Sequence, residues 1–187
     1  MSKQSYYEEH FTEAPETLCR KEFEACTFTG IDFSNYDFSS TVFSDCEFKQ
    51  CNLSNIKLND CSLRDVSFRD CKMLGCLFDA CNKFGLSFHF YQCNLSHSSF
   101  YKCVLKKLVF DHCEMQDVDF TESNLSEAKL ISCNLLHARF IACNLEKADL
   151  RNSQHFHIDP ASNSIKKAIV EEHQLIGFLL NHQLTIK

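Results

Sequence analysis

From Phe23 onward a large apolar residue returns at every fifth position: Phe23, Phe28, Phe33, Phe38, Phe43, Phe48, Leu53, Leu58, Leu63, Phe68, Met73 and Phe78. A second register repeats the five-residue step from Phe90 through Leu95, Phe100 and Leu105 to Leu145 and Leu150. Every one of these positions is Phe, Leu or Met, types that together make up about a fifth of the chain, so the pattern is not chance. Two places earlier lies a smaller class, mostly Cys, Ser, Thr or Ala, as at Cys26, Thr41, Cys51, Cys71, Ser98, Cys113 and Ala148. Lys21, Tyr36 and Phe88 depart from it, and Ile31, Ile56 and Leu108 are oversized fillers. Neither a period of 3.6 nor a period of 2 keeps two positions in five pointing inward over such a length. The chain must turn a corner about every five residues.

The register slips once. Phe78 and Phe90 are separated by two residues more than two repeats allow, which places an insertion within residues 79–89, and Lys83 falls where the earlier register wants a core residue. One reading puts Phe84 into the core after a one-residue bulge, with Gly85 supplying a positive φ; the other sends residues 83–89 out of the rod as a small loop. The bulge is the expectation. On either reading Lys83, Phe84, Gly85 and His89 are candidate partner-recognition residues on an otherwise regular surface.

Past Leu150 the next central slot holds His155. Asp159-Pro160 resembles a helix N-cap followed by proline at the first helical position, and Ile165, Ala168, Ile169, Ile176, Leu179 and Leu180 follow a helical stripe that Gly177 divides. A C-terminal helical cap is therefore expected, with Leu184-Thr185-Ile186 as a last strand. An apolar end on a one-dimensional stack invites a two-fold partner, so Val170, Phe178, Leu184 and Ile186 are candidate homodimer contacts.

Runs such as Cys51-Asn52-Leu53-Ser54-Asn55, Cys93-Asn94-Leu95-Ser96-His97 and Cys143-Asn144-Leu145-Glu146-Lys147 resemble the tandem units of the pentapeptide-repeat proteins. The resemblance implies an all-β fold, a right-handed quadrilateral parallel β-helix, with a short C-terminal α-helical cap. It divides the chain into a cap segment at residues 1–20, the β-helix at 21–152 and a C-terminal cap and dimerisation segment at 153–187. The stretch Phe68-Arg69-Asp70-Cys71-Lys72-Met73-Leu74-Gly75 and the tail entry His157-Ile158-Asp159 resemble the quinolone-resistance and albicidin-immunity branch. That likeness implies a cytoplasmic, bacterial, non-enzymatic homodimer whose rod imitates DNA and binds DNA gyrase or topoisomerase IV. The long projecting loops of the quinolone-resistance group are missing from this sequence.

Composition narrows the chemistry. The 187 residues carry a formal charge of −6 and include 13 Cys. No apolar run approaches a membrane span, and no secretory signal opens the chain, so no membrane association and a cytoplasmic setting are expected. Because the cysteines repeat in fives with no Cys-x-x-Cys knuckle, they read as buried free thiols rather than metal ligands or disulfide partners. The His155-x-His157 pair and His97 with His137 are the remaining ligand-like groupings; with no carboxylate or thiolate at suitable spacing they read as surface histidines, so no metal or cofactor is expected. No nucleophile elbow, phosphate loop or carboxylate pair is present, and an interior filled with Phe and Leu leaves no pocket, so no enzyme is expected. Residues 21–152 hold 18 acidic and 14 basic side chains, a net of −4. A B-DNA segment about 32 Å long carries about 19 phosphate charges, so imitation of DNA here must rest on shape. The same acidity argues against direct nucleic-acid binding. A structural or adaptor role with a non-topoisomerase partner is the alternative.

Overall fold

The computed structural model describes residues 4–179. The five-residue period closes into a right-handed, four-sided parallel β-helix. One side is a four-stranded parallel sheet of β1 (Ser5–Tyr7), β3 (Glu22–Glu24), β5 (Val42–Ser44) and β7 (Ser62–Arg64). The next side is a seven-stranded sheet of β2 (His10–Phe11), β4 (Thr27–Thr29), β6 (Glu47–Lys49), β8 (Val66–Arg69), β9 (Phe88–Tyr91), β10 (Val109–Asp111) and β11 (Lys129–Ile131). The other two sides are stitched by single bridges, such as Asn52 to Lys72 and Ser99 to Asp119. Hydrogen bonds alternate up and down the stack: the Asn52 N–H donates to the Ile31 carbonyl of the rung before, and the Leu53 N–H to the Lys72 carbonyl of the rung after. Every backbone group of a strand too short to form a hairpin thus finds a partner one coil away.

Corners are made by the residue two places after each central one, which adopts a positive φ at every corner except that after Phe78, where Phe78–Ala80 is a 3₁₀ turn; examples are Asn35 (62°), Asp60 (54°) and Lys107 (64°). At Phe33–Tyr36 the Tyr36 N–H returns to the Phe33 carbonyl, closing a four-residue turn with its left-handed residue third. The residue before the central one often braces the turn: Asp32, Asp37, Asn52, Asn94 and Asn124 each accept, through a side-chain oxygen, the N–H two residues on. This Asx turn is why Asn recurs immediately before the central Leu.

All the central residues from Phe23 to Leu150 are buried, none exposing more than 4% of its surface. Their rings stack from rung to rung, as in Phe28 on Phe48 (4.6 Å, 11°) and Phe78 on Phe100 (4.6 Å, 5°), and meet edge to face around one coil, as in Phe28 with Phe33 (73°). Both arrangements suit the aromatic quadrupole. The described part of the amino-terminal segment continues this column: Tyr6 stacks on Phe23 and Phe11 on Phe28, each at 4.9 Å, and Leu18 is fully buried.

Two expectations need correction. First, Phe84 does not enter the core at the break; it is 81% exposed, and Lys83 and Gly85 on either side of it are exposed as well. A Phe ring leaving the slot of Lys83 would have to reach back from a corner position, whereas Leu86, further along the loop, packs against the core from there instead. Second, the chain does not become helical at Pro160. Asp159 accepts the Ala161 N–H in another Asx turn, and the solenoid continues through bridges Phe140–Ile158, Asn144–Ser164 and Asp149–Ile169. Phe156 and Ile158 take the buried positions that His155 leaves empty, and His155 itself turns outward at φ 62°. The apolar spacing of Ile165, Ala168 and Val170 suits a helix stripe equally well, but these residues pack on the core as solenoid positions.

Among the described residues of this end, Glu172–Leu175, a 3₁₀ turn, and α1 (Ile176–Leu179) are helical. Glu171 and Gln174 form a reciprocal capping box, and the Gln174 amide donates to the Leu150 and Ser153 carbonyls, closing the last rung. Gly177 lies inside α1 instead of dividing two helices; a Cβ there would stand 2.4 Å from the Phe156 ring. Among the described residues, no helix is long and apolar enough to cross a membrane.

Of the 13 cysteines, twelve are buried and Cys19 is half-exposed, and all are free thiols. Along one corner Cys51, Cys71, Cys93 and Cys133 donate to carbonyls of the preceding rung, those of Phe28, Phe48, Phe68 and Phe110. Burial pushes the Cys46, Cys76 and Cys103 thiols up to about 12, and a hydrogen bond donated to the neighbouring thiol, together with burial, raises Cys51 and Cys113. Because the thiolate is the reactive form, a maleimide added to native protein should modify one cysteine, Cys19, rapidly. Mass spectrometry showing several fast-labelled cysteines would contradict the buried ladder.

Candidate interaction surface

Outward positions of a repeat rod are uniform, so a site needs a break in the uniformity, and the insertion supplies one. Register is twenty residues per coil up to Asn82, which donates its N–H to the Cys61 carbonyl, twenty-two from Val66–Phe88 to Leu77–Ser99, and twenty again from His89–Val109 onward. The two extra residues fall on the side carrying β7, and the four-stranded sheet stops there. Asn82 accepts the Phe84 N–H at 2.9 Å, Gly85 turns at φ +69°, and Ser87 donates its hydroxyl to Asp65 at 2.8 Å. Lys83 lies along the next rung and donates to the Lys102 carbonyl at 3.4 Å. The loop is thus tied at both ends and presents Phe84 to solvent.

Lys83, Phe84 and Gly85 are brought together at this loop. His89 is not with them: it lies in β9 on the neighbouring side, opposite Ser67 and Val109. Burial lowers its imidazole pKa, and its Nδ1 has no hydrogen-bond partner. Asp79 Oδ1 is a second orphaned buried atom at the break, so the insertion interrupts polar satisfaction as well as the sheet. Toward the amino terminus the loop borders an open cleft of about 680 Å³ whose lining includes Arg20, Lys21, Val42, Arg64 and Asn82.

The tail candidates fare differently. Phe178 is buried edge-on against Phe156 at 5.3 Å and Val170 packs against the core, so both seal their own chain. Leu184 and Ile186 lie outside the described residues. The apolar residues that do face solvent include Leu77, Val104, Ile141, Ile169, Leu175 and Ile176. Periodicity marks Leu77, Val104 and Ile169 only as outward positions, and an apolar residue at an outward position is the one signal that could have found them.

The surface offers little for catalysis. Among the described residues, no three His, Cys, Asp or Glu side chains are placed to hold a metal ion. His97 and His137 flank Asp117 at 3.6 and 3.5 Å as exposed side chains. Asp149 is buried and held below the usual carboxylate range by its hydrogen bonds to Arg151, an arrangement that braces the corner of its own rung.

A four-sided β-helix filled by its own side chains, with an open outer surface and an irregular loop at residues 82–87, defines a class of repeat solenoid that acts through its faces. The profile described as "Pentapeptide repeat region" matches residues 21–88 and 75–150. The chain belongs to the pentapeptide-repeat family. No protein with a curated description matches it. Among solved structures, a trypsin-treated form of QnrB1, a plasmid-mediated fluoroquinolone resistance protein, superposes with a TM-score of 0.66 at 20% identity, covering 99% of this chain and 98% of its own. Full-length QnrB1 covers 96% and 100% respectively, with a TM-score of 0.50 at 19% identity. HetL, a pentapeptide repeat protein of the cyanobacterium Nostoc involved in heterocyst differentiation regulation, aligns at 15% identity with a TM-score of 0.46 over 89% and 84%. At these identities the likeness is one of fold.

Proposed function

We propose that this protein is a non-enzymatic interaction rod that binds a type II DNA topoisomerase, gyrase or topoisomerase IV, and protects it from poisons such as quinolones. The observation that carries this reading is the end-to-end likeness to QnrB1, with both chains covered almost completely. Buried, unreactive thiols suit a reducing cytoplasm, and a centre filled by stacked Phe and Leu side chains suits binding through the outer faces.

Imitation of DNA here would be imitation of shape. Many of the acidic groups are already partnered: Glu47 by Lys49 (2.8 Å) and Arg69 (3.0 Å), Asp119 by Arg139 (3.6 Å), and Glu122 by Lys102 (3.4 Å). These interspersed cations also favour a second reading, an adaptor for a partner that does not normally bind DNA. A supercoiling assay with purified gyrase, with and without a quinolone, separates the two. Inhibition or protection at micromolar protein is expected; neither effect, together with no co-purification, would leave the adaptor reading.

A further inference from the structure

One edge of the rod, between the sides carrying β3 and β4, changes sign along its length. Its left-handed corner residues are Glu8, Ala25, Asp45 and Asp65 before the break and Lys107, Glu127, Lys147 and Lys167 after it. Exposed neighbours deepen the contrast, with Glu24 on the amino-terminal half and Lys106, Lys129 and Lys166 on the other. Arg64 and Glu146 run against the trend. Four corners lie on each side of the loop that carries Phe84, so a two-fold axis through that loop maps the acidic half onto the basic half.

We propose that two copies of this chain pair side by side and antiparallel through this edge and the side carrying β1, β3, β5 and β7, with Phe84 at the two-fold axis. The rotation sets Glu8 against Lys167 and Asp65 against Lys107 of the second copy, with Lys147 against Ala25 and next to Glu24. Three positions meet a like charge, Asp45 against Glu127, Arg64 against Lys106 and Glu24 against Glu146; the first is relieved because Glu127 already has Lys106 at 3.4 Å and Lys107 at 3.9 Å, and the charges named sum to −3 on one half and +4 on the other. The two Phe84 rings, 81% exposed in one chain, form the apolar centre, flanked one coil to either side by Val104, 58% exposed. Eight steps of about 4.8 Å and a width of five residues at about 3.3 Å give on the order of 600 Å² per copy, the lower end of a standard interface. Such an isologous contact closes on itself and leaves three sides of each rod to other partners. It differs from the end-to-end pairing expected of the tail, and it does not depend on the topoisomerase reading.

Sedimentation and small-angle scattering of the full chain test this. At low salt the pair should be no longer than one rod, roughly 45 Å, whereas end-to-end pairing would double that length. Raising salt to about 0.5 M should weaken it about tenfold or more, because the charged rungs are exposed. Phe84→Ser should weaken it comparably without moving the melting temperature. Lys147→Glu with Lys167→Glu should abolish it, and adding Glu24→Lys and Glu8→Lys should restore it. Phe84→Cys in a Cys19→Ser background should oxidise to a covalent dimer. A monomer at about 100 µM in low salt, a dimer of doubled length, a pair indifferent to the charge exchange, or association only with an acidic foreign protein would each overturn the proposal.

Discussion

Phe100→Asp is expected to unfold the protein or drive it into aggregates. Phe100 is completely buried, stacked between Phe78 (4.6 Å) and Phe120 (5.3 Å) and edge-on to Phe110 (5.7 Å). Removing such a ring costs about 3–5 kcal/mol through lost contacts and a cavity. A carboxylate in its place has no cation or donor within the column, so its desolvation adds several kcal/mol more. The sum is comparable to the whole stability of a typical domain, about 5–15 kcal/mol. Phe84→Asp, on the exposed loop, is the control and should change stability by less than about 0.5 kcal/mol. Circular dichroism melts decide the matter: a folded, soluble Phe100→Asp protein melting within a few degrees of the parent would show that the central column is not the main support.

The second large effect has the opposite sign. Replacing residues 83–87 by the tripeptide Leu-Ser-Asn removes the two extra residues, returns an apolar side chain to the slot under Leu63 and supplies a corner residue that tolerates positive φ. A fully buried Leu contributes about 1.5–3 kcal/mol, and the strand interrupted after β7 can then pair through to Val104. For a chain of this size a melting temperature higher by about 4–10 °C is expected. An unchanged or lower value would show that the loop, with Leu86 turned inward, already fills the interior as well as a regular repeat does. The same variant lacks Phe84, so it should also fail to pair side by side if the inferred two-fold is correct.

The two corrections show where periodicity stops being informative. At the break, spacing alone revealed that two residues were extra, but not which of Phe84 or Leu86 would turn inward. That choice depends on where the chain leaves Asn82, held by its hydrogen bonds to Cys61 and Asp60, and on how far it travels before Phe88 must rejoin the column. In the tail, Ile165 and Ala168 satisfy a helical stripe and a five-residue repeat equally well over so short a span. The stack below settled it: the Cys143 and Ala148 carbonyls and the Leu145 and Leu150 N–H groups are completed by Ser164 and Ile169 as further rungs. His155 disguised the continuation, because Phe156 takes the buried place one residue later.

The candidate surface was legible only in part. Lys83, Phe84 and Gly85 were marked because the register slips there, and they do share a loop. His89 was marked by proximity in sequence, yet a corner of the rod separates it from them.

The amino-acid order by itself determined the interior of this protein, since a large apolar residue every fifth place has one way to be buried, and each rung repeats the last. It also determined that the thiols lie inside. Only the tertiary structure decided what faces outward together: that residues twenty apart become neighbours about 5 Å apart, that Glu8, Asp45 and Asp65 align on one edge with Lys107, Lys147 and Lys167, and that Phe84 stands between the two halves. Burial drives the inside position by position, whereas a surface arises from stacking, and stacking depends on the register accumulated over every preceding coil.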